Sequence, residues 1–119
     1  MKNFRDLKVW EKAHQLTLSI YRATASFPTT EKYGLTSQLR RSATSIPSNI
    51  AEGCGRDGDR DFSRFLQIGM GSASELEYQL LLGHDLGYLE TSVYDELQRP
   101  TIEVKRMLSS FIRKLRAES

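Results

Sequence analysis

The sequence is poor in the features that would place it outside the ordinary globular proteins. It has one cysteine, Cys54, in 119 residues, which excludes an internal disulfide and is typical of a reducing compartment. Its apolar runs reach only three residues, for example at 80–82, and its first ten residues lack the apolar core of a signal peptide. We therefore expect a single cytoplasmic domain over residues 1–119, without a membrane span.

Sustained alternation of apolar and polar residues is also missing, so no β-strand is predicted. Instead, apolar and small residues recur at alternating steps of three and four in four stretches of the chain. The segments between these stretches are short, which makes successive helices antiparallel neighbours. The sequence therefore predicts an all-α fold, an antiparallel up-down-up-down four-helix bundle.

The first predicted helix covers about 20 residues, with Asn3 or Asp6 as its candidate N-cap. The others are predicted at about 33–52, 60–86 and 92–116. Gly53 and Gly87 are the expected C-terminal stops, and Thr91 or Ser92 is the candidate N-cap of the fourth helix. The core-facing positions are Trp10, Ala13, Thr17, Ile20, Thr24 and Phe27; Leu35, Leu39, Ala43, Ile46 and Ile50; Phe62, Leu66, Gly69, Ala73, Leu76, Leu80 and Gly83; and Tyr94, Leu97, Thr101, Val104, Leu108, Phe111 and Leu115.

Prolines are few, but two of the three lie inside predicted helices. Pro47 removes a backbone donor and frees the carbonyl of Ala43, and Ser45 and Asn49 are the expected substitutes. Pro100 frees the carbonyl of Glu96 in the same way, unless a new helix begins there. Because the apolar spacing continues through both prolines, the sequence favours kinked, continuous helices.

The third predicted helix has more apolar surface than one core face requires. Phe65, Ile68, Leu82 and Leu86 lie beside its core positions, which indicates a second buried face and hence self-association. The alternative is that Trp10 and Tyr21 of the first helix cover this surface. The seam glycines Gly69 and Gly83 predict a close approach of the facing helix or subunit, and Glu75 and Gln79 could form a buried polar network with Arg40 or Arg41.

No catalytic or metal-binding set can be assembled from the sequence. Residues 53–58 match the spacing of a dinucleotide-binding glycine motif, but a helix precedes them where a strand is needed, so we interpret them as an interhelical turn. The Glu11–His14 pair has the spacing of a di-iron carboxylate motif, and its second copy is missing because Leu81 precedes His84. Nothing places Cys54 beside a histidine. We therefore expect that the protein is not an enzyme and that it binds no cofactor or metal.

Basic residues are absent between residues 65 and 98, a segment with six acids and a charge of −6. Residues 1–30, 31–64 and 99–119 carry +3, +1 and +4, which gives the net charge of +2. Such polarity either attracts an anionic partner or joins one subunit to the next.

The last predicted helix carries a regular row of arginines. Arg99, Arg106 and Arg113 recur every seven residues at its outermost position, with Lys105, Lys114 and Arg116 beside them. The row spans ~21 Å at 1.5 Å per residue. Lys8 and Arg22 hold the matching position on the first helix, with Arg5 and Lys12 nearby. Such a face suits nucleic-acid phosphates, although a merely solvated face has the same composition, and no aromatic platform accompanies it.

Three runs carry a resemblance to a known family: the opening FRDLKVWEKA at 4–13, YGLTSQLRRSATSIPSNIAEG at 33–53, and FSRFLQIGMGSASELEYQLLL at 62–82, followed by DLGYL at 85–89. Together they closely resemble the four-helix-bundle proteins encoded by intervening sequences of bacterial large-subunit (23S) rRNA genes. The resemblance covers nearly the whole chain, although the fourth helix matches only in pattern and Pro100 is atypical.

The resemblance implies a ring-shaped homopentamer with head-to-tail interfaces. It also implies a relation to the accessory protein of diversity-generating retroelements, which binds reverse transcriptase and nucleic acid. We accordingly expect a non-catalytic, oligomeric accessory protein that binds nucleic acid, RNA before DNA. The alternative is a protein–protein scaffold for a reverse transcriptase or a ribosome-associated partner. The candidate phosphate contacts are Arg99, Lys105, Arg106, Arg113 and Lys114, with Arg40, Arg41 and Arg56 as a second group.

Overall fold

Each of the four apolar patterns forms one helix. In the computed structural model, which describes residues 2–118, these are α1 (Lys8–Thr24), α2 (Leu35–Cys54), α3 (Asp59–Asp85) and α4 (Thr91–Glu118). Short 3-10 turns, Phe4–Asp6 and Thr29–Glu31, precede α1 and α2. Both α1 and α3 pack against α2 and α4, and the described residues contain no strand. The predicted antiparallel four-helix bundle is confirmed, with extents of 45 × 22 × 20 Å.

All four helices contribute to one apolar core. Ala13, Leu39, Leu66 and Val104, one from each helix, are fully buried. The predicted core positions are buried with few exceptions: Trp10, Tyr94 and Phe111 lie at the margin of the core. Other apolar residues, including Val9, Leu16 and Ile112, are buried in addition. The periodicity therefore identified the faces of the helices correctly.

Pro47 is buried inside a continuous α2, as the apolar spacing predicted. The carbonyl of Ala43, which loses its usual donor, lies 3.0 Å from the hydroxyl of Thr17 on α1. The expected substitutes act elsewhere, because Asn49 donates to the carbonyl and hydroxyl of Ser45. The defect in α2 is thus satisfied by a neighbouring helix rather than by α2 itself.

Pro100 also lies inside a continuous helix, so no new helix begins there. It is half-buried, and Glu96, whose carbonyl it frees, is an exposed residue. The next residue, Thr101, is fully buried and satisfies its hydroxyl by donating to the carbonyl of Leu97 at 2.7 Å. A polar side chain at a core position is thereby accommodated within α4.

Among the glycines inside the helices, Gly53 lies closest to a neighbouring helix, although the sequence predicted only a helix end there. Gly53 is buried inside α2, and a Cβ built on it would lie 2.8 Å from the Phe62 ring of α3. A Cβ on Gly69 would meet its nearest neighbour at 3.7 Å, an ordinary contact. The nearest atom to Gly69 is the Ile46 backbone carbonyl, so the backbone of α2 lies close to Gly69 but leaves room for a methyl group, and Gly83, at 3.3 Å from Leu89, is intermediate.

The other helix ends agree with the sequence only in part. Gly87, with φ +82°, ends α3, and the amides of Gly87 and Tyr88 donate to the carbonyls of His84 and Gly83 in a Schellman pattern. Asn3 caps the first 3-10 turn, because its side chain accepts from the Arg5 amide at 3.0 Å. α4 begins at Thr91, so both candidate caps of this helix lie inside it.

Candidate nucleic-acid interface and neighbouring grooves

Three arginines of α4, Arg99, Arg106 and Arg113, lie on the outward side of the helix. All three are exposed, and none forms an ion pair with another described residue. Successive members are seven residues apart, which is about 10.5 Å along the helix. Arg113 donates to the Ser109 hydroxyl at 3.1 Å, a bond within its own helix that leaves its other donors available. We refer to these three arginines as the outer row.

Two lysines predicted with the outer row differ in their surroundings. Lys114 is exposed near the end of α4. Lys105 instead lies between α3 and α4, where its ammonium forms an ion pair with the Glu77 carboxylate at 2.7 Å. Lys105 thus joins the acidic helix to the basic one, and we leave it out of the proposed phosphate contacts.

The second candidate group does not converge on one site. Arg40 is half-buried, donates to the Thr24 hydroxyl at 2.9 Å and to the Tyr21 carbonyl at 3.2 Å, and lies over the Tyr21 ring. Arg56, beyond the opposite end of α2, lies over the Phe65 ring and 3.7 Å from the Glu52 carboxylate. Arg41 is exposed. Arg40 therefore fastens α2 to the end of α1, and together with Arg41 it also lines a polar groove beside α2.

The basic positions of α1 approach α4 without merging with the outer row. Lys8 and Arg22 are exposed on α1, which packs against α4. Between the two helices Lys12 forms an ion pair with Glu103 at 3.0 Å, with both side chains about half exposed. A neutral pair therefore separates the two basic rows.

A polar groove of about 1000 Å³ runs along the outer side of α2. Its floor is rich in serine and threonine, Arg41 lies on its α2 side, and Glu75 and Gln79 form its α3 side. Gln79 is 8% exposed, and its Oε1 atom has no hydrogen-bond partner. The predicted network of Glu75 and Gln79 with Arg40 or Arg41 is therefore not formed. We call this feature the α2 groove.

Next to the α2 groove, α3 presents apolar side chains outward. Ile68, Tyr78 and Leu86 are 45%, 61% and 50% exposed. α1 does not pack against α3 in the described chain, so the alternative that Trp10 and Tyr21 cover this surface is wrong. Trp10 instead contacts the rings of Phe4 and His14. Phe65 is buried, and Leu82 is half-buried. We call the exposed surface the α3 outer face.

A smaller notch of about 350 Å³ lies between α3 and α4. It could not be predicted from the sequence, because its walls come from two helices and meet only in the bundle. Its position could have been sought only from the exposed Ile102, an apolar residue at 37% exposure within the basic helix. The notch is lined by Met70, Glu77, Ile102, Lys105, Arg106 and Ser109.

The residues of the weaker sequence motifs, Cys54, His14 and Glu11, are buried or contact neighbouring side chains. Cys54 is buried at the end of α2, and burial raises the pKa of its thiol, which disfavours the reactive thiolate. His14 is stacked on Trp10 with ring centroids 4.9 Å apart, while Glu11 accepts from Gln15. Over residues 2–118 no three His, Cys, Asp or Glu side chains gather where they could hold a metal ion. None of the helices in this range combines the length with the hydrophobicity that a membrane span requires.

Comparison with known proteins agrees with this architecture. A crystal structure of a protein of unknown function from the S23 ribosomal protein family, from Bacteroides thetaiotaomicron, is similar with a TM-score of 0.79 and 27% identity. The match covers 87% of this chain and 97% of that one. None of the curated proteins matches the chain. The model of the 23S rRNA-intervening sequence protein family matches residues 5–110, and the chain belongs to that family.

Proposed function

We propose that this chain is a non-catalytic accessory protein that binds nucleic acid, RNA before DNA, through the outer row of α4. The observation that carries the proposal is the state of the three arginines, which are exposed, evenly spaced and free of acidic partners among the described residues. Other basic side chains, such as Lys105 and Lys12, are instead neutralised within the fold.

The spacing of the outer row suits a phosphate backbone. Neighbouring arginines are about 10.5 Å apart, which corresponds to roughly three nucleotides along one strand of a DNA duplex at about 3.4 Å each. Each guanidinium can bind a phosphate through two donors. Because phosphate contacts carry no sequence information, we expect similar affinities for unrelated sequences. The family name refers to ribosomal RNA, which makes RNA the first ligand to test.

Charge reversal tests the role of the outer row. We expect Arg106→Glu/Arg113→Glu to weaken the binding of several unrelated RNAs by the same factor, measured by fluorescence anisotropy at low salt. Lys32→Glu/Arg64→Glu is the matched control, because it makes the same charge change at exposed residues off the row. Equal losses of affinity in both variants would show that only the net charge of the protein matters. Unchanged affinity in Arg106→Glu/Arg113→Glu would contradict a role of α4 in RNA binding.

The proposal includes self-association through the α3 outer face. Gly71 lies exposed on this face inside a long helix, where glycine costs about 1 kcal/mol relative to alanine. Nothing in the described chain lies within 4 Å of a Cβ built on Gly71, so no internal contact explains the glycine. A second copy approaching closely beside Ile68 and Tyr78 would explain it, and the family resemblance makes a pentamer the expected assembly.

Sedimentation velocity tests the assembly. We expect an oligomer for the unmodified chain and a smaller species for Ile68→Lys, because the new ammonium would be desolvated in the interface. Gln15→Lys, at an exposed position of α1 away from the α3 outer face, is the control and should keep the oligomer. A monomeric unmodified chain, or an Ile68→Lys variant with unchanged mass, would contradict this part of the proposal.

A second candidate function is a scaffold for a reverse transcriptase or a ribosome-associated protein. The observation that favours it is the α2 groove, a polar recess of about 1000 Å³ that a segment of a partner chain could occupy. Thr44→Arg should fill the groove and abolish capture of such a partner after nuclease treatment. Capture that disappears with the nuclease would favour the first function.

A further inference from the structure

The α3–α4 notch adjoins the outer row directly, because Arg106 belongs to both. The notch, of about 350 Å³, is an open depression rather than an enclosed cavity, so a ligand in it would be covered on one side only. Ile102 lies one helical turn from Arg106 and is 37% exposed. An apolar recess is thus placed beside a cationic row.

The walls of the notch combine apolar and polar groups in an arrangement that suits a flat heteroaromatic ring. Ile102 and the polarisable thioether of Met70 offer surfaces for the face of such a ring. The Glu77–Lys105 pair offers an acceptor and a donor for its edge. This pair retains side-chain exposures of 37% and 30%, so both groups stay within reach of a ligand. Neither group alone would distinguish a nucleobase from other planar polar molecules.

The adjoining outer row favours a nucleobase over other planar polar molecules, because the row would hold the phosphates of the strand to which the base belongs. Phosphates bound by Arg99 and Arg106 would lie about 10.5 Å apart, farther than two adjacent phosphates of one strand, so the bases of the intervening nucleotides are not held by the row. One of these bases can turn toward the helix surface if the strand is unpaired. In a duplex the bases are stacked and paired, and an A-form major groove hides their edges from side chains. Only single-stranded segments, loops and bulges could therefore use both features at once.

We propose that the α3–α4 notch binds one unstacked nucleobase of a single strand whose phosphates lie on the outer row. This inference rests on the proposed function and deepens it, because it names unpaired nucleic acid as the preferred ligand. Arg106 fixes the backbone next to the base, Met70 and Ile102 contact the face of the base, and the Glu77–Lys105 pair contacts its edge.

The test compares a single strand with a hairpin duplex that carries the same number of phosphates. Fluorescence anisotropy at low salt should show tighter binding of the single strand by the unmodified protein. Ile102→Ser should weaken single-strand binding by about three- to tenfold through lost apolar contact and leave duplex binding unchanged. The matched control is Leu81→Ser, which removes an apolar residue of similar exposure outside the notch. Circular dichroism confirms that both variants are folded.

The outcomes separate the two proposals. Loss of the single-strand preference in Ile102→Ser but not in Leu81→Ser supports a base in the notch. Equal binding of single strand and duplex by the unmodified protein, with no effect of Ile102→Ser, overturns the notch and leaves the outer row intact. Absence of binding to either ligand at low salt overturns the proposed function together with this inference.

Discussion

The hydrogen bond between Thr17 and Ala43 yields a sharp test of how the bundle accommodates Pro47. The Thr17 hydroxyl lies within hydrogen-bond distance of two carbonyls, 2.9 Å from Ala13 and 3.0 Å from Ala43. The Ala13 carbonyl already accepts the amide of Thr17 in a regular helix. The Ala43 carbonyl has lost its helical donor to Pro47. Thr17→Val should therefore leave the Ala43 carbonyl without a donor inside the core.

The size of the expected loss in stability follows from the burial of Thr17 and Ala43. Ala43 is fully buried and Thr17 is 9% exposed, so water does not readily replace the hydroxyl. An unsatisfied buried carbonyl costs about 1–3 kcal/mol, and we expect Thr17→Val to lower the free energy of unfolding by that amount. In a Pro47→Ala background the new amide of residue 47 can donate to Ala43. The same Thr17→Val change should then cost at least about 1 kcal/mol less.

The assay is urea unfolding followed by circular dichroism, with all four variants of the cycle at one protein concentration because association would shift the midpoint. The quantity of interest is the difference between the two effects of Thr17→Val. It is insensitive to the packing that Pro47→Ala itself disturbs, provided both backgrounds unfold in two states. Equal effects in the two backgrounds, within about 0.5 kcal/mol, would refute the assignment of Thr17 as the substitute donor.

Two further substitutions test other contacts of the fold. Gly53→Ala should destabilise the protein by about 1–3 kcal/mol because its Cβ would press on the Phe62 ring. Gly69→Ala, whose Cβ would make only ordinary contacts, should be neutral or stabilising by up to about 1 kcal/mol. Equal urea unfolding midpoints for the two variants would contradict this difference. The hydrogen bond from Tyr88 to the Glu31 carboxylate, together with partial desolvation and the negative charge of Glu31, raises the pKa of the Tyr88 phenol above 10.0. Because the pKa is higher in the folded state, this contribution is present below about pH 10 and disappears as the pH rises through the raised pKa. Thermal unfolding at rising alkaline pH should therefore show a loss in the unmodified protein that Tyr88→Phe lacks, and parallel losses in both would count against the contact.

The arrangement of helices could be predicted because it depends on local periodicity. Residues such as Leu39 and Leu76 repeat at helical spacing in sequence, and burying the resulting faces defines the bundle. The continuity of α2 through Pro47 also followed from the phase of that pattern. These features need no knowledge of which side chain meets which across the core.

Contacts between helices were predicted less well, because spacing along one helix does not fix its neighbours. The sequence predicts only a helix end at Gly53. Its packing role becomes visible only where α2 lies against the Phe62 ring of α3. Thr17 reads as an ordinary core position until the unpaired carbonyl of Ala43 is placed beside it. Arg40 was predicted from the sequence as a ligand contact, and only the fold shows that α1 provides hydrogen-bond acceptors for it.

The candidate site shows the same limit. The outer row could be found from a seven-residue repeat on a single helix. The pairing of Lys105 with Glu77 could not, since the two residues are 28 positions apart and meet only across the α3–α4 contact. The same contact brings Met70 next to Ile102 and creates a recess that neither helix has alone.

The salt dependence of RNA binding tests most directly whether the outer row contacts phosphates. For a single strand, each neutralised phosphate contributes a slope of about 0.7 to the fall of log K with log salt concentration. Contacts by Arg99, Arg106 and Arg113 predict a slope of about −2, and Arg106→Ala should reduce its magnitude by about 0.7. A slope near zero, or one that Arg106→Ala leaves unchanged, would contradict the assignment of this row as the nucleic-acid interface.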